Sequence, residues 1–352
     1  MRSGGGSSAH AGVAFGVDIG GTKVLGIALD AANAVVAEAR VATPRSGAWV
    51  EGTSPTEIGD RGAAVADAVA EVVAQLEAAV GAGSAGTADP PSRARAVGVG
   101  APGMVDRSGR LRFSPNLPQG QGADWRVLIG ERLPGRKVVI ENDANFAVLA
   151  EHRIGAAMGY RHVVMVTLGT GIGGGIVIDG RVQVGGHGFA GEIGHMVVDP
   201  AGPPCPCGRR GCWERFASGG GLGLLAREAA LAGALPGVVA RSGGDPESVR
   251  GEDVTAAALS GDPDARRVVE EVGWWVGFGL ANLACVVDPE CIVLGGGLVG
   301  VGDLLLGPTR RAFAELVEGG STRPGTVIVP AAFGERAGAV GAALGARAGG
   351  LE

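Results

Sequence analysis

A short segment in the middle of the chain combines the residue types that bind transition metals. The segment AGEIGHMVVDPAGPPCPCGRRGCWE, residues 190–214, holds three of the five cysteines in a chain of 352 residues. One imidazole and three thiols at the spacing H-x9-C-x-C-x4-C form a complete tetrahedral ligand set for zinc. The sequence therefore predicts a closed, structural zinc site, with the ligands His195, Cys205, Cys207 and Cys212.

The same cysteines could instead be buried free thiols or form a disulfide. Clustering of this kind in a chain without a secretory signal is more often a metal site. The first twelve residues, MRSGGGSSAHAG, read as a flexible tail and lack the apolar region of a signal peptide. A reducing, cytoplasmic setting is therefore expected.

Two carboxylates accompany the predicted zinc ligands. Glu192 precedes His195 in the sequence EIGH, and Glu214 follows Cys212 in the sequence CWE. If zinc holds one ring nitrogen of His195, the other nitrogen is available to a ligand. Two glutamates and an imidazole N–H held by one clamp would suit the hydroxyl groups of a sugar or polyol. The alternative is that both glutamates are ordinary surface charges.

A glycine-rich turn near the start of the chain predicts an anion site. In AFGVDIGGTKVLGIAL, two apolar segments of β type flank Gly20 and Gly21. These glycines let backbone N–H groups approach an anion, and Thr22 and Lys23 add side-chain donors. Asp18 lies at the mouth of the turn, where it could hold magnesium through water. An ordinary Gly-Gly hairpin is the alternative.

The segment HVVMVTLGTGIGGGIVI, residues 162–178, repeats this arrangement. Its G-x-G-x-x-G does not fit a dinucleotide-binding fingerprint, because another strand follows it instead of a helix. The P-loop pattern G-x-x-x-x-G-K-[ST] is absent from the sequence. We therefore predict two similar halves that hold one polyphosphate, the second through Gly169, Thr170, Gly171 and Gly173.

Further polar and glycine residues lie where α/β proteins place ligand sites. Asn142 and Asp143 separate a predicted strand, 137–140, from a predicted helix. Asp143 could accept a proton from a substrate hydroxyl, or it could cap the helix. Asn116, in SPNLP, could bind a ligand or form an Asx turn. The three glycines 295–297 follow a buried strand and would let a flat ring lie against bare backbone, or they could form a strand-to-helix turn.

Composition limits the classes of protein that fit the chain. The net charge of −6 argues against a nucleic-acid binder, and no apolar segment is long enough to span a membrane. The length and a hydrophobic fraction of 46% predict two domains with ample core. Apolar periodicity predicts a helix over 61–80, a loop over 81–95, a strand over 96–100, helices over 218–233 and 254–281, a strand over 326–333 and a helix over 336–347.

Together these motifs resemble the ROK family of sugar kinases over roughly residues 13–347, most closely its bacterial glucokinases. The signature C-x-C-G-x-x-G-C-x-E is CPCGRRGCWE at 205–214, and it is accompanied by EIGH, DIGGTK, NDAN, GTGIGGG and GGG. The resemblance implies an α/β fold, a two-domain actin-like ATPase (ribonuclease H-like) fold with a cleft between domains. We expect a tail at 1–12, a small domain at 13–138 that includes the helix 336–349, and a large domain at 139–335.

The resemblance also implies roles for individual residues. Asp143 would be the general base on the 6-hydroxyl of glucose. The residues expected to hold the sugar are Gly103, Asn116, Asn142, Asp143, Glu192, His195 and Glu214. The residues expected to hold Mg-ATP are Asp18, Gly20, Gly21, Thr22, Lys23, Gly169, Thr170, Gly171, Gly173, Gly295, Gly296 and Gly297.

Other members of the family would use the same motifs differently. Fructose, mannose, N-acetylglucosamine or N-acetylmannosamine could replace glucose, and polyphosphate could replace ATP. A sugar-responsive ROK repressor would need a helix-turn-helix domain, for which the few residues before DIGGTK are too short. The family suggests a homodimer or homotetramer. The segment QGQGAD, residues 119–124, departs from the family pattern and could alter the rim of the sugar site.

Overall fold

Two five-stranded sheets with the same strand order organise the chain. The structure is a computed structural model and describes residues 12–44, 55–83 and 96–351. Its strands are Ala14–Ile19 (β1), Lys23–Leu29 (β2), Val35–Ala42 (β3), Ala96–Ala101 (β4), Met104–Val105 (β5), Leu111–Phe113 (β6), Lys137–Asn142 (β7), Val163–Leu168 (β8), Ile172–Ile178 (β9), Arg181–Val182 (β10), Cys291–Gly295 (β11) and Val327–Pro330 (β12).

Helices connect and cover these strands. Over the described ranges the α-helices are Pro55–Gly83 (α1), Trp125–Arg132 (α2), Asp143–Ile154 (α3), Glu214–Ala217 (α4), Gly219–Leu231 (α5), Pro236–Arg241 (α6), Gly251–Leu259 (α7), Pro263–Val287 (α8), Asp303–Leu316 (α9) and Ala337–Ala348 (α10). In the same ranges, no helix is both long enough and apolar enough to cross a membrane.

The two sheets repeat one topology. The first has the order β3-β2-β1-β4-β7 and the second the order β10-β9-β8-β11-β12. In each sheet the first three strands are antiparallel, and the two strands on the other side run parallel to the central strand. The central strands β1 and β8 are almost entirely buried, which explains their nearly unbroken apolar sequences. The predicted pair of strand–turn–strand hairpins is confirmed.

The chain divides into two compact units. The first contains Met1–Ala150 and Gly338–Glu352, and the second contains Glu151–Ala337. The boundary predicted from the sequence, after residue 138, lies within β7. Because β7 pairs with β4, and Phe146 of α3 is fully buried against α10, the first unit continues to residue 150.

Glycines let α10 lie directly on the first sheet. A Cβ atom on Gly16 of β1 would lie 2.0 Å from the carbonyl oxygen of Ala339, and one on Gly98 of β4 would lie 1.9 Å from that of Ala342. Neither strand could carry a larger residue here without moving the helix. The predicted C-terminal helix, 336–347, is confirmed, since α10 spans Ala337–Ala348.

Two predicted helices have other bounds in the structure. The prediction of one helix over 254–281 is wrong, because α7 ends at Leu259 and α8 starts at Pro263. Gly261 has a φ of +99°, and Asp262 caps α8 by accepting hydrogen bonds from backbone N–H groups. The helix predicted over 61–80 extends over Pro55–Gly83, so part of the expected loop 81–95 is helical. Residues 84–95 of that loop lie outside the described residues.

Candidate functional site

The predicted site residues fall into both units. The first unit contains Asp18, Gly20, Gly21, Thr22, Lys23, Gly103, Asn116, Asn142 and Asp143. The second contains Gly169, Thr170, Gly171, Gly173, Glu192, His195, Cys205, Cys207, Cys212, Glu214, Gly295, Gly296 and Gly297.

In the first unit, a carboxylate stands behind the first glycine turn, residues 20–22. Asp18 is near the end of β1, and its Oδ1 atom is buried without a hydrogen-bond partner among the described residues. A Cβ atom on Gly338 would lie 2.8 Å from Cγ of Asp18, so this position accepts only glycine. A buried carboxylate oxygen without a hydrogen-bond partner destabilises the folded protein unless a ligand interacts with it. This oxygen fits a cation or its bound water.

A second carboxylate, Asp143, lies beside Asp18. A Cβ atom on Gly100 would be 3.3 Å from Cα of Asp143 and 3.3 Å from Oδ1 of Asp18, so glycine separates the two residues. Burial raises the pKa of Asp18 to about 8, the Asp143 charge adds to this, and Lys23 acts against it. Burial also raises the pKa of Asp143 to about 6, against hydrogen bonds from backbone N–H groups.

Asn142 takes over most of the helix capping that the sequence allowed Asp143 to perform. Its Oδ1 atom accepts hydrogen bonds from the N–H groups of Ala144 at 2.8 Å and Asn145 at 3.1 Å. Oδ1 of Asp143 also accepts from Ala144 at 2.9 Å. Because Asn142 already satisfies these N–H groups, the carboxylate of Asp143 is not required to cap α3. With a pKa of about 6, this carboxylate is charged at neutral pH and can accept a proton.

Asn142 also links Asp143 to the loop that follows β4. Its Nδ2 atom donates to the carbonyl oxygen of Gly103 at 3.0 Å. Gly103 has a φ of +95°, and a Cβ atom there would lie 2.3 Å from the carbonyl oxygen of Phe113. Asn116 is exposed on the nearby loop after β6. A Cβ atom on Gly21 would lie 3.4 Å from its carbonyl oxygen, so this loop adjoins the first glycine turn.

In the second unit, the second glycine turn, residues 169–171, contacts the end of the predicted zinc segment. Glu214 Oε2 accepts a hydrogen bond from the N–H of Ile172 at 3.3 Å, and a Cβ atom on Gly171 would lie 2.4 Å from it. The hydroxyl of Ser218 lies 3.1 Å from the carbonyl oxygen of Thr170 and 2.6 Å from that of Glu214. This turn is therefore supported by residues from 214 to 218.

The glycines 295–297 adjoin the same turn. Gly295 ends β11, which pairs with β8, and Gly296 has a φ of +86°. A Cβ atom on Gly296 would lie 2.5 Å from the carbonyl oxygen of Leu168, the residue before the second glycine turn. A Cβ atom on Gly297 would have no heavy atom within 4 Å. Of the three glycines, Gly297 therefore faces open space, whereas Gly295 and Gly296 are packed against neighbouring residues.

The four predicted metal ligands converge and are called the Cys/His cluster from here on. One ligand atom from each of its members lies within 4.8 Å of the others; the members are His195, Cys205, Cys207 and Cys212. Sγ of Cys207 is 3.6 Å from Sγ of Cys212, and Sγ of Cys205 is 3.8 Å from Nδ1 of His195. Zinc–sulfur bonds of about 2.3 Å in a tetrahedron place two sulfurs about 3.8 Å apart. The cluster therefore fits zinc, and its three thiols are not in disulfides.

Local backbone conformations bring these ligands together. Gly208 and Gly211 have φ values of +89° and +66°, which explains the glycines beside Cys207 and Cys212. Burial raises the pKa values of the Cys205 and Cys212 thiols. Burial acts to raise the pKa of Cys207 as well, but hydrogen bonds led by the backbone N–H of Arg209 outweigh it and lower this pKa.

His195 stands between two glutamates at the edge of the cluster. Its Nδ1 atom is 3.7 Å from Oε1 of Glu214, and its Nε2 atom is 3.9 Å from Oε2 of Glu192. Oε1 of Glu214 is also 3.0 Å from Sγ of Cys205. Since Nδ1 faces the thiols, Nε2 is the nitrogen left for a ligand. The structure thus brings together the three second-unit residues predicted to hold a sugar.

Two supporting residues were not assigned roles from the sequence. Ser218 is 1% exposed and caps α5 by accepting from the N–H of Gly221 at 3.0 Å. Its position before a helix is a recognisable capping signal. Thr43 is buried, and its hydroxyl donates to the carbonyl oxygen of Gly20 at 2.7 Å. Nothing in the sequence around Thr43 indicates this contact, which joins residues far apart in the chain.

Comparisons with known proteins agree with this architecture. The chain matches the ROK family over residues 14–348. A glucokinase from Streptomyces coelicolor is 37% identical over 341 residues, covering 94% of this chain and 96% of the relative. The crystal structure of a ROK family glucokinase from Streptomyces griseus in complex with glucose and AMPPNP has 37% identity and a TM-score of 0.78, covering 96% of this chain and all of the other.

A ROK hexokinase from Thermus thermophilus is a further structural relative. It has 36% identity and a TM-score of 0.71, covering 96% of this chain and 98% of the other. These similarities and the repeated sheet topology confirm the predicted actin-like sugar-kinase fold. The chain belongs to the ROK family.

Proposed function

We propose that the protein is a glucokinase that transfers a phosphoryl group from ATP to the 6-hydroxyl of glucose. The observation that carries this proposal is Asp143. Its carboxylate has a pKa that burial raises, lies beside Asp18, and leaves most of the capping of α3 to Asn142. The similarity to glucokinases over nearly the whole chain supports glucose and ATP as substrates.

In this proposal, Asp143 takes the proton from the attacking hydroxyl. Phosphoryl transfer depends mainly on positioning and on stabilising charge, so the remaining residues hold the reactants. Backbone N–H groups of the two glycine turns, with Thr22 and Lys23, would bind phosphate oxygens. The glycines 295–297 would lie near the adenosine, with Gly297 facing open space.

The buried, unpaired Oδ1 of Asp18 would hold magnesium, directly or through water. Magnesium supplies positive charge that neutralises the phosphate oxygens. A nearby cation also favours the charged form of Asp18, whose pKa is otherwise raised. The acidic pair would then be matched to a metal-bound nucleotide.

The Cys/His cluster would hold a structural zinc ion, which fixes the segment that carries Glu192, His195 and Glu214. With its four protein ligands the site is closed, so zinc has no role in the transfer itself. The sugar hydroxyls would be bound by Nε2 of His195 and by the two glutamates. In the first unit, the residues that would bind the sugar are Gly103, Asn116, Asn142 and Asp143.

A sugar panel tests the proposal. ADP release is measured with Mg-ATP and glucose, fructose, mannose, N-acetylglucosamine or N-acetylmannosamine, and mass spectrometry locates the phosphate on the product. We expect the highest kcat/KM with glucose and a 6-phosphate product. Higher kcat/KM with an amino sugar would retain the mechanism and change the substrate. Sugar binding without turnover of any sugar would contradict a kinase and favour a sensor.

A further inference from the structure

The segment 119–124, which is expected from the sequence to depart from the family pattern, is hydrogen-bonded within the first unit. Gln119 is 6% exposed, although it is polar. The segment closes against β6, since the N–H of Leu111 donates to the carbonyl oxygen of Ala123 and the N–H of Gly122 donates to that of Leu111. A buried amide must find hydrogen-bond partners, so the contacts of Gln119 indicate what it supports.

Gln119 is connected to the first glycine turn through two residues. Its Nε2 atom donates to the carbonyl oxygen of Pro44 at 3.0 Å. The preceding residue, Thr43, donates through its N–H to the carbonyl oxygen of Thr22 at 3.0 Å and through its hydroxyl to that of Gly20 at 2.7 Å. Residues 43 and 44 thus join the Gln119 side chain to both ends of the turn.

In the backbone, Gln119 directly follows the loop 114–118, which contains Asn116. This loop is anchored from within, since Leu117 is fully buried and its N–H donates to the hydroxyl of Ser114 at 3.1 Å. Its backbone also adjoins the turn, because a Cβ atom on Gly21 would lie 3.4 Å from the carbonyl oxygen of Asn116. The loop and the turn are therefore close neighbours and are also connected through Gln119.

We propose that Gln119 is a positioning residue that fixes the distance between the Asn116 loop and the first glycine turn. This inference rests on the proposed function, in which the loop holds the sugar and the turn holds phosphate. The hydrogen bond from Gln119 to Pro44 keeps both elements in one arrangement. A displacement of either element would weaken the binding of the sugar or the phosphate that it holds, because its binding groups would no longer be preorganised.

A near-isosteric variant, Gln119→Met, tests this role because it removes the amide but keeps the volume. We expect KM to rise for both glucose and ATP by roughly two- to tenfold, the effect of one lost buried hydrogen bond. We also expect faster hydrogen exchange in peptides that cover 18–23 and 114–118. Thr43→Val, which removes the hydroxyl bonded to Gly20, should raise the same quantities, and the double variant should be less impaired than the product of the single effects.

Gln75→Met is the matched control. Gln75 lies on the exposed face of α1, where its amide donates to Glu71 at 3.1 Å, so its loss should leave both KM values unchanged. Exchange that rises only at 114–118 in Gln119→Met, with an unaltered KM for ATP, would overturn the proposal. If the wild-type protein had no kinase activity, the proposed function would fail, and the exchange at 18–23 would still decide whether Gln119 braces the turn.

Discussion

The two glycine turns share a backbone design and differ in what stands behind them. The first, residues 20–22, is preceded by Asp18, whose buried Oδ1 lies near Asp143. The second, residues 169–171, rests on Glu214 and Ser218, which follow the last cysteine of the Cys/His cluster. Equivalent positions in the two repeated sheets therefore adjoin an acidic pair in one unit and the end of the Cys/His cluster segment in the other.

This difference suggests a division of tasks between the repeats. A carboxylate with a raised pKa can move a proton, so the surroundings of the first turn suit the chemical step. Glu214 accepts a hydrogen bond from Ile172 and lies beside Cys205 of the Cys/His cluster, so its carboxylate is held in place and the surroundings of the second turn suit recognition. Substitutions around the first turn should therefore lower kcat, and substitutions around the second turn should raise KM for the sugar.

The largest expected effect comes from Asp143→Asn, which keeps the shape of the side chain but removes the proton acceptor. We expect kcat to fall by roughly 10²- to 10⁴-fold while glucose binding changes little. Steady-state kinetics and calorimetric titration with glucose measure the two quantities. Asp30→Asn is the control. Asp30 is half-buried in a turn and accepts hydrogen bonds from the backbone N–H groups of Ala32 and Ala34, which an asparagine side chain can also accept. Near-normal turnover of Asp143→Asn would remove Asp143 from the role of base.

The pKa of Asp143 also gives the direction of a pH effect on the same step. The base works only when it is deprotonated, so kcat/KM should rise with pH through the range around 6. Bound magnesium would move this midpoint lower by favouring the charged form. A profile that is flat from pH 5 to 8 would contradict proton transfer to Asp143.

A smaller effect is expected from Cys207→Ser, which removes one member of the Cys/His cluster. Loss of zinc should loosen the segment that holds His195 and Glu214, raising KM for glucose roughly 10- to 100-fold with a smaller change in kcat. Elemental analysis of the purified variant measures the metal. Cys285→Ser is the matched control, because Cys285 is exposed and outside the cluster. Unchanged zinc content in Cys207→Ser would contradict the assignment of the ligand.

The surroundings of the first and second glycine turns could not be predicted equally well from the sequence. Contacts between residues close in the chain leave a sequence pattern, whereas contacts between distant residues do not. The spacing of His195 and the three cysteines and the glycines of both turns are local patterns, and the structure contains the cluster and both hairpins. The roles of Asn142 and Asp143 stayed open, because both residue types cap helices equally well. Hydrogen bonds show how they divide the task, and these require coordinates.

Contacts between distant parts of the chain were harder to predict. The hydrogen bond from Ile172 to Glu214 joins residues 42 positions apart, and no periodicity encodes it. The hydroxyl contact of Thr43 with Gly20 was missed for the same reason. By contrast, the break between α7 and α8 carried a signal, Gly261 followed by Asp262 and proline, that apolar periodicity alone overlooked.

Ser218→Ala should separate the second turn from its support with a modest effect. The hydroxyl is within hydrogen-bond distance of Thr170 and Glu214, and it caps α5, so its loss should raise KM for ATP and for glucose by about three- to tenfold. Ser260→Ala is the control, because that hydroxyl bonds a backbone carbonyl oxygen in an exposed helix end. A fall in kcat with unchanged KM values would contradict the proposed division of tasks.

The smallest effect concerns stability without ligands and sharpens the contrast at the first turn. The folded-state pKa of Asp18, about 8, lies above the ordinary value of 3.8. The folded protein therefore binds more protons than the unfolded chain between these values, and stability is lost as pH rises through this window. Asp18→Asn removes the titrating group, so its melting temperature should fall less between pH 5 and 8 than that of the wild type, by a few degrees.

The comparison is made without nucleotide or magnesium, because a bound cation favours the charged carboxylate and would hide the difference. Equal slopes for the two proteins would mean that Asp18 is already charged in the folded protein without ligands, which would contradict its raised pKa.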